Sequence, residues 1–167
     1  RGVEDLGGGL RASFALEAGM ANDTGTGQPS NSNNQASGAG TGTGLTFNRL
    51  AYVALSGGFG EVHLGRDFAL AHLNTLSFDA FNNNGVAKAN SLVYGIVGTG
   101  PLYTTQLVSN TISYSLPKTL GGVYGGVMLG MGENPSGAAN SKDGNYYAAR
   151  LGYAQGPLDV AGAYSQT

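Results

Sequence analysis

The stretch Leu10-Arg11-Ala12-Ser13-Phe14-Ala15-Leu16-Glu17-Ala18-Gly19-Met20 decides the fold. Leu10, Ala12, Phe14, Leu16, Ala18 and Met20 fall on one side of an extended chain, and Arg11, Ser13, Ala15 and Glu17 on the other. Wound as a helix, the same apolar residues would scatter around the axis. As a strand of about 11 residues they form one stripe, long enough to cross a bilayer at a tilt. The spacing predicts a strand.

The same alternation recurs along the chain. Leu45, Phe47, Ala51, Val53 and Leu55 share a face within Leu45–Ser56, and Val62 and Leu64 alternate with Glu61 and His63 within Gly60–Asp67. Ile112, Tyr114 and Leu116 mark a strand over Ser109–Leu116, and Val127, Leu129 and Met131 mark one over Val123–Gly132. Tyr147, Ala149, Leu151 and Tyr153 oppose Arg150 and Gly152 in Asn145–Gln155, and Val160–Gln166 begins another strand. The connections alternate as well. Gly7-Gly8-Gly9, Gly57-Gly58-Phe59, Lys118–Gly122 and Gly156-Pro157 are short and supply turn residues. Asn22–Gly44, the connection from Asp67 to about Val108, and Asn134–Asp143 are long. Short turns at one end and long loops at the other describe an all-β, transmembrane antiparallel β-barrel.

Composition agrees. Charged residues make up 11% of the 167 residues and Gly accounts for 30 of them, against roughly 25% charge and ~7% Gly in ordinary globular domains. A soluble β-sandwich would carry more charge on its outer faces, and its strands would be shorter. No run approaches the ~20 apolar residues of a transmembrane helix. No signal peptide is visible and the chain starts at Arg1 within an expected strand, so the leader and first strands are expected to be missing. The absence of Cys excludes disulfides and thiolate metal sites. A net charge of -2 gives no footprint for nucleic acid.

Several segments resemble the general diffusion porins of Gram-negative outer membranes. Arg1-Gly2-Val3-Glu4-Asp5-Leu6-Gly7-Gly8-Gly9-Leu10 is similar to their first periplasmic hairpin. Arg49–Ser56, Gly58-Phe59-Gly60 and Leu64-Gly65-Arg66 resemble the next hairpin, and Asn110 to Pro117 the strand after their internal loop. The resemblance implies a closed barrel of about sixteen strands around an aqueous channel, of which this chain would form about half of one barrel domain spanning residues 1–167. It implies a homotrimer among outer-membrane lipids and lipopolysaccharide, passing ions and small hydrophilic solutes, with no cofactor. The alternative of a closed eight-stranded barrel is disfavoured because side chains fill so narrow a lumen, leaving no room for the long third connection.

By the same resemblance, that connection (about 67–108) folds inward and narrows the pore. Leu70, Leu73, Leu76, Phe78, Phe81, Leu92, Val93 and Tyr94 give it the apolar anchors such a loop needs. The resemblance makes Arg66 and Arg1 the basic wall residues of the constriction. Asp79 and Lys88 are the charged candidates on the loop, while Gln106, Leu107 and Val108 stand where relatives often have a further basic residue. Asp67 adjoins Arg66 in sequence and is a candidate ion-pair partner for it. Parity places Arg11, Glu17, Glu61, His63 and Arg150 on lumen-facing positions. Arg66 shares parity with Val62 and Leu64, so it faces the lumen only if Gly65 marks a bulge that re-aims it. The alternative is that it lies at the rim. We expect the bulge.

Enzymatic readings lack support in the residues. His63 and His72 have no metal-ligand spacing, the Gly-rich turns precede no helix, and no Ser has a His–Asp arrangement nearby. An adhesin or phage-receptor role for Asn22–Gly44 is compatible with a channel.

Overall fold

The computed structural model describes residues 1–40, 44–91 and 106–167. Eight strands form one antiparallel sheet in sequence order: β1 (Gly2–Gly7), β2 (Leu10–Glu17), β3 (Leu50–Gly57), β4 (Gly60–Phe68), β5 (Leu107–Ser115), β6 (Val123–Gly130), β7 (Tyr146–Gln155) and β8 (Leu158–Gln166). Neighbours in sequence are neighbours in space, and β1 and β8 stand at opposite edges rather than closing on each other. The closed eight-stranded alternative is thereby removed.

The register confirms the alternation. Phe14, Val53, Leu64 and Ile112 follow one another across β2 to β5 as paired residues, and Leu129 and Tyr147 continue the row. All are exposed, between 46% and 56%. Side by side they make an apolar surface that soluble monomers rarely carry. On the opposite face Ala15, Ala54, Thr111, Met128 and Ala148 are buried.

The largest departures from the expected strand bounds are in β2 and β3. β2 ends at Glu17 instead of Met20, and β3 starts at Leu50 instead of Leu45. Local polar bonds outcompete the ladder there. The Asn48 side-chain oxygen accepts the Gly19 amide at 2.7 Å, its NH2 donates to the Pro29 carbonyl, and the Thr46 hydroxyl donates to the Gln28 carbonyl. The connection is therefore 18–49, longer than the expected 22–44. It reaches far across the sheet. Asn34, 6% exposed, donates to the carbonyls of Ser109, Met131 and Gly144 and accepts the Ser109 amide at 2.8 Å. Its side chain thus fills ladder positions left open above the β5–β6 pairing.

The long connection between β4 and β5 opens with α1 (Leu70–Ser77). Eight residues are too few for a helix to stand alone in water, so packing must hold it. Leu70, Leu73, Asn74 and Ser77 fall at helical spacing on one stripe. Leu70 joins Ala69, Val108, Met128, Tyr146 and Ala148 in the only buried apolar cluster among the described residues, with Leu73 packed against it. The helix therefore lies on the sheet's inner face, against β6, β7 and β8. Of the expected anchors, Phe78 and Phe81 are exposed instead of packed, because the turn after α1 is organised by a carboxylate. Leu92, Val93 and Tyr94 lie outside the described residues.

Candidate pore lining

Three charged groupings occupy the inner face. The first gathers at the long-loop end of β2. Glu17 takes Arg1 at 3.1 Å and the Nε of Arg49 on its two carboxylate oxygens. These side chains are substantially exposed, so the pairs add little stability. What they do is gather two cations and one anion at one end of β2 and β3. Arg49 also lies 5.7 Å from the Phe68 ring centroid, and Phe68 contacts His72 of α1. Parity hides Arg49, since its number puts it with Ala51 and Val53. It sits just outside β3, its amide bonded to the Glu17 carbonyl, and alternation no longer governs where it points.

The second grouping is on β4. His63 Nδ1 lies 2.5 Å from Asp67 Oδ2, and Nε2 contacts Glu61 Oε1. The Tyr52 ring stacks on the imidazole at 4.2 Å. Residues 61, 63 and 67 share parity, so their common face, though not their contact, is readable in the sequence. Asp67 pairs with His63 rather than with its neighbour Arg66.

The third grouping joins wall to loop. Arg150 on β7 donates through Nε to Asn74 Oδ1 at 3.2 Å and through an NH2 to Ser77 Oγ at 2.8 Å. Both acceptors are on α1. The guanidinium stacks 5.0 Å from the Tyr124 ring centroid, and the Tyr124 hydroxyl donates to Asp159 Oδ1 at 2.6 Å. Arg11 has Asp5 and Ser56 as its strand neighbours and is exposed.

Arg66 is elsewhere. The expected bulge does exist, but the extra residue is on β5: Ser109 and Asn110 together oppose Arg66, and Asn110 takes φ 56°. Gly65 has φ 132°, yet Arg66 stays in register with Ala51, keeping the parity of Leu64. Its guanidinium donates to the carbonyls of Asn48 (2.7 Å) and Asn31 (3.0 Å) and to Ser109 Oγ. Its guanidinium therefore ties β4 to the 18–49 loop and to β5.

On the inward connection, Asp79 accepts the amides of Phe81, Asn83 and Ala89. These amides, Phe81's first, together with the positive charge of Lys88, hold its carboxyl below the usual range. Asp79 is 7% exposed. The two charged loop candidates thus share one turn, with the carboxylate spent on building it.

The whole chain, residues 1–167, matches the family model described as Gram-negative porin. The chain belongs to the Gram-negative porin family. This porin chain is 32% identical over 96% of its length to outer membrane porin protein 32 of Delftia acidovorans. It is 31% identical over 99% of its length to an outer membrane porin protein of Bordetella pertussis. It superposes on the anion-selective porin from Comamonas acidovorans with a TM-score of 0.75 and 32% identity over 98% of the chain. The chain spans about two fifths of the curated relatives, 41% and 40%, and 45% of the solved one.

Within this porin sheet, the docking of α1 carries its own pH dependence. Burial, aided by the Arg49 charge, pushes the His72 imidazole down to about 4. An undocked, hydrated His72 would titrate near ~6.5. The docked state thus binds fewer protons between those values, so docking is full above about pH 6.5 and weakens as pH falls toward 4, by on the order of 3 kcal/mol in all. Amide hydrogen exchange within α1 should therefore speed up as pH falls across that window, beyond the intrinsic pH trend, and His72→Leu should abolish the increase. Exchange in α1 that follows the intrinsic trend alone from pH 7 to 4 would contradict this coupling.

Proposed function

We propose that this chain supplies wall strands and the inward loop of an outer-membrane porin, a water-filled channel for passive diffusion of ions and small hydrophilic solutes, with no bond chemistry of its own. The observation that carries the reading is α1. A polar-ended helix lies on the inner face of the sheet, seated on Val108 and Met128 and tied to the wall by Arg150. The opposite face is an apolar band suited to lipid. An inward element on the lumen side narrows a channel without filling it, as a solute sieve requires.

The pore in this reading is lined by Arg1, Arg11, Glu17, Glu61, His63 and Arg150, with Asp79 and Lys88 on the loop and Arg49 added to the wall. Charge clusters of this kind bias ion choice. The assembled protein is a homotrimer among outer-membrane lipids and lipopolysaccharide, a reading supported by family membership. Single-channel recording of the full-length protein in a planar bilayer tests it. Stable conductance steps arriving in threes support the channel, and a silent bilayer overturns it.

A further inference from the structure

We propose that Glu61, His63 and Asp67 form a proton-titrated selectivity element of the pore wall, which favours hydrated monovalent cations more strongly once the imidazole is neutral. The inference rests on the porin reading above and adds a site to it.

The geometry fixes the charge states. A neutral imidazole has one N–H, and ionised carboxylates only accept. His63 has a carboxylate oxygen against each ring nitrogen, Asp67 at Nδ1 and Glu61 at Nε2. Both contacts are satisfied only by the imidazolium, and the cluster then carries one net negative charge. When the proton leaves to bulk water, one nitrogen lone pair faces a carboxylate oxygen and the net charge becomes two negative. Tyr52 on β3 covers the ring from one side, with Arg1 and Glu17 beyond it, and β5 contributes the uncharged Ser113. No cation among these touches the ring to cancel the step. The cluster nonetheless remains open to solutes, since the Glu61 side chain is 42% exposed against 17% for His63 and 13% for Asp67.

A unit charge step on a pore wall should change the cation-to-anion permeability ratio by about twofold at ~0.1 M salt. The change should vanish near ~1 M, where screening acts within about 3 Å. The test measures reversal potential in a KCl gradient across full-length channels between pH 5 and 8.5. The expected result is a ratio that rises with pH in the unaltered protein. It should be pH-independent in His63→Gln and fixed near the acid value in His63→Arg, which keeps donors and a permanent charge. Because His72 is present in every variant, the difference between variants at each pH belongs to His63. A conducting wild type whose ratio does not move with pH, or His63 variants whose ratio moves as the wild type's does, overturns the proposal and leaves the porin reading standing. If His63→Gln fails to assemble, His63→Arg decides alone. Absence of any conductance in the wild type is the separate result that removes the porin reading.

Discussion

Arg150→Ala should enlarge the single-channel conductance and let larger solutes through. The guanidinium holds α1 by two bonds at its C-terminal half, to Asn74 and Ser77, while Leu70 and Leu73 seat the other half in the apolar cluster. Hydrogen bonds made by a charged donor each contribute ~1.5–3 kcal/mol when shielded, and less here because the site is partly exposed. A combined loss of about 1–2 kcal/mol shifts the docked-to-undocked ratio of the helix end by a factor of roughly 5–30. Arg150→Lys should recover only part of the effect, since an ammonium cannot reach two acceptors and stack on Tyr124 at once. Conductance records and liposome swelling with sugars of graded size would read both. Unchanged conductance together with unchanged sieving would show that α1 does not depend on this clamp.

The larger effect is expected at Gly125, where Gly125→Val should block assembly. Gly125 pairs with Leu151 at φ 148°, and a Cβ there would lie 2.2 Å from the Arg150 carbonyl oxygen and 2.9 Å from the Leu151 Cα. The obstruction is backbone of the adjacent strand, so no side-chain rotation relieves it. The choice is between breaking the β6–β7 ladder and distorting it, a cost above ~4 kcal/mol. Gly58→Ala in the β3–β4 turn is the control, because a Cβ at that position meets nothing within 4 Å. Refolding into detergent, followed by heat-modifiable gel migration, should show the folded band for Gly58→Ala and its loss for Gly125→Val. A normal folded band in the valine variant would mean that the two strands separate more readily than their register implies.

These two residues differ in how far the sequence reveals them. Parity alone places Arg150 on the lumen face, and β7 keeps that parity. Its partners are not legible, because nothing local indicates which strand α1 will cross. Gly125 gives no signal beyond being a glycine in a strand. The sheet itself is readable, since alternation is a local property set by each strand's two environments. The exceptions fall where alternation stops governing. Arg49 lies outside β3, and the bulge expected to turn Arg66 into the pore forms on β5 instead. Glu61, His63 and Asp67 are the reverse case: same-face residues on one strand, whose joining into a cluster needs side-chain geometry that spacing alone does not supply.

Asn34 has a consequence for the order in which the molecule can form. Its side chain joins Ser109, Met131 and Gly144, which follow it by 75, 97 and 110 residues. No subset of neighbouring hairpins contains all of these partners. The hairpins β1–β2, β3–β4 and β5–β6 can each pair through nearby chain, whereas Asn34 must wait until β7 has arrived. Contacts this distant close late, because the chain between them must be ordered first. The 18–49 loop thus behaves as a knot tied after weaving: a nascent sheet has a loose, protease-accessible rim, and only one with β5, β6 and β7 in place can draw it tight.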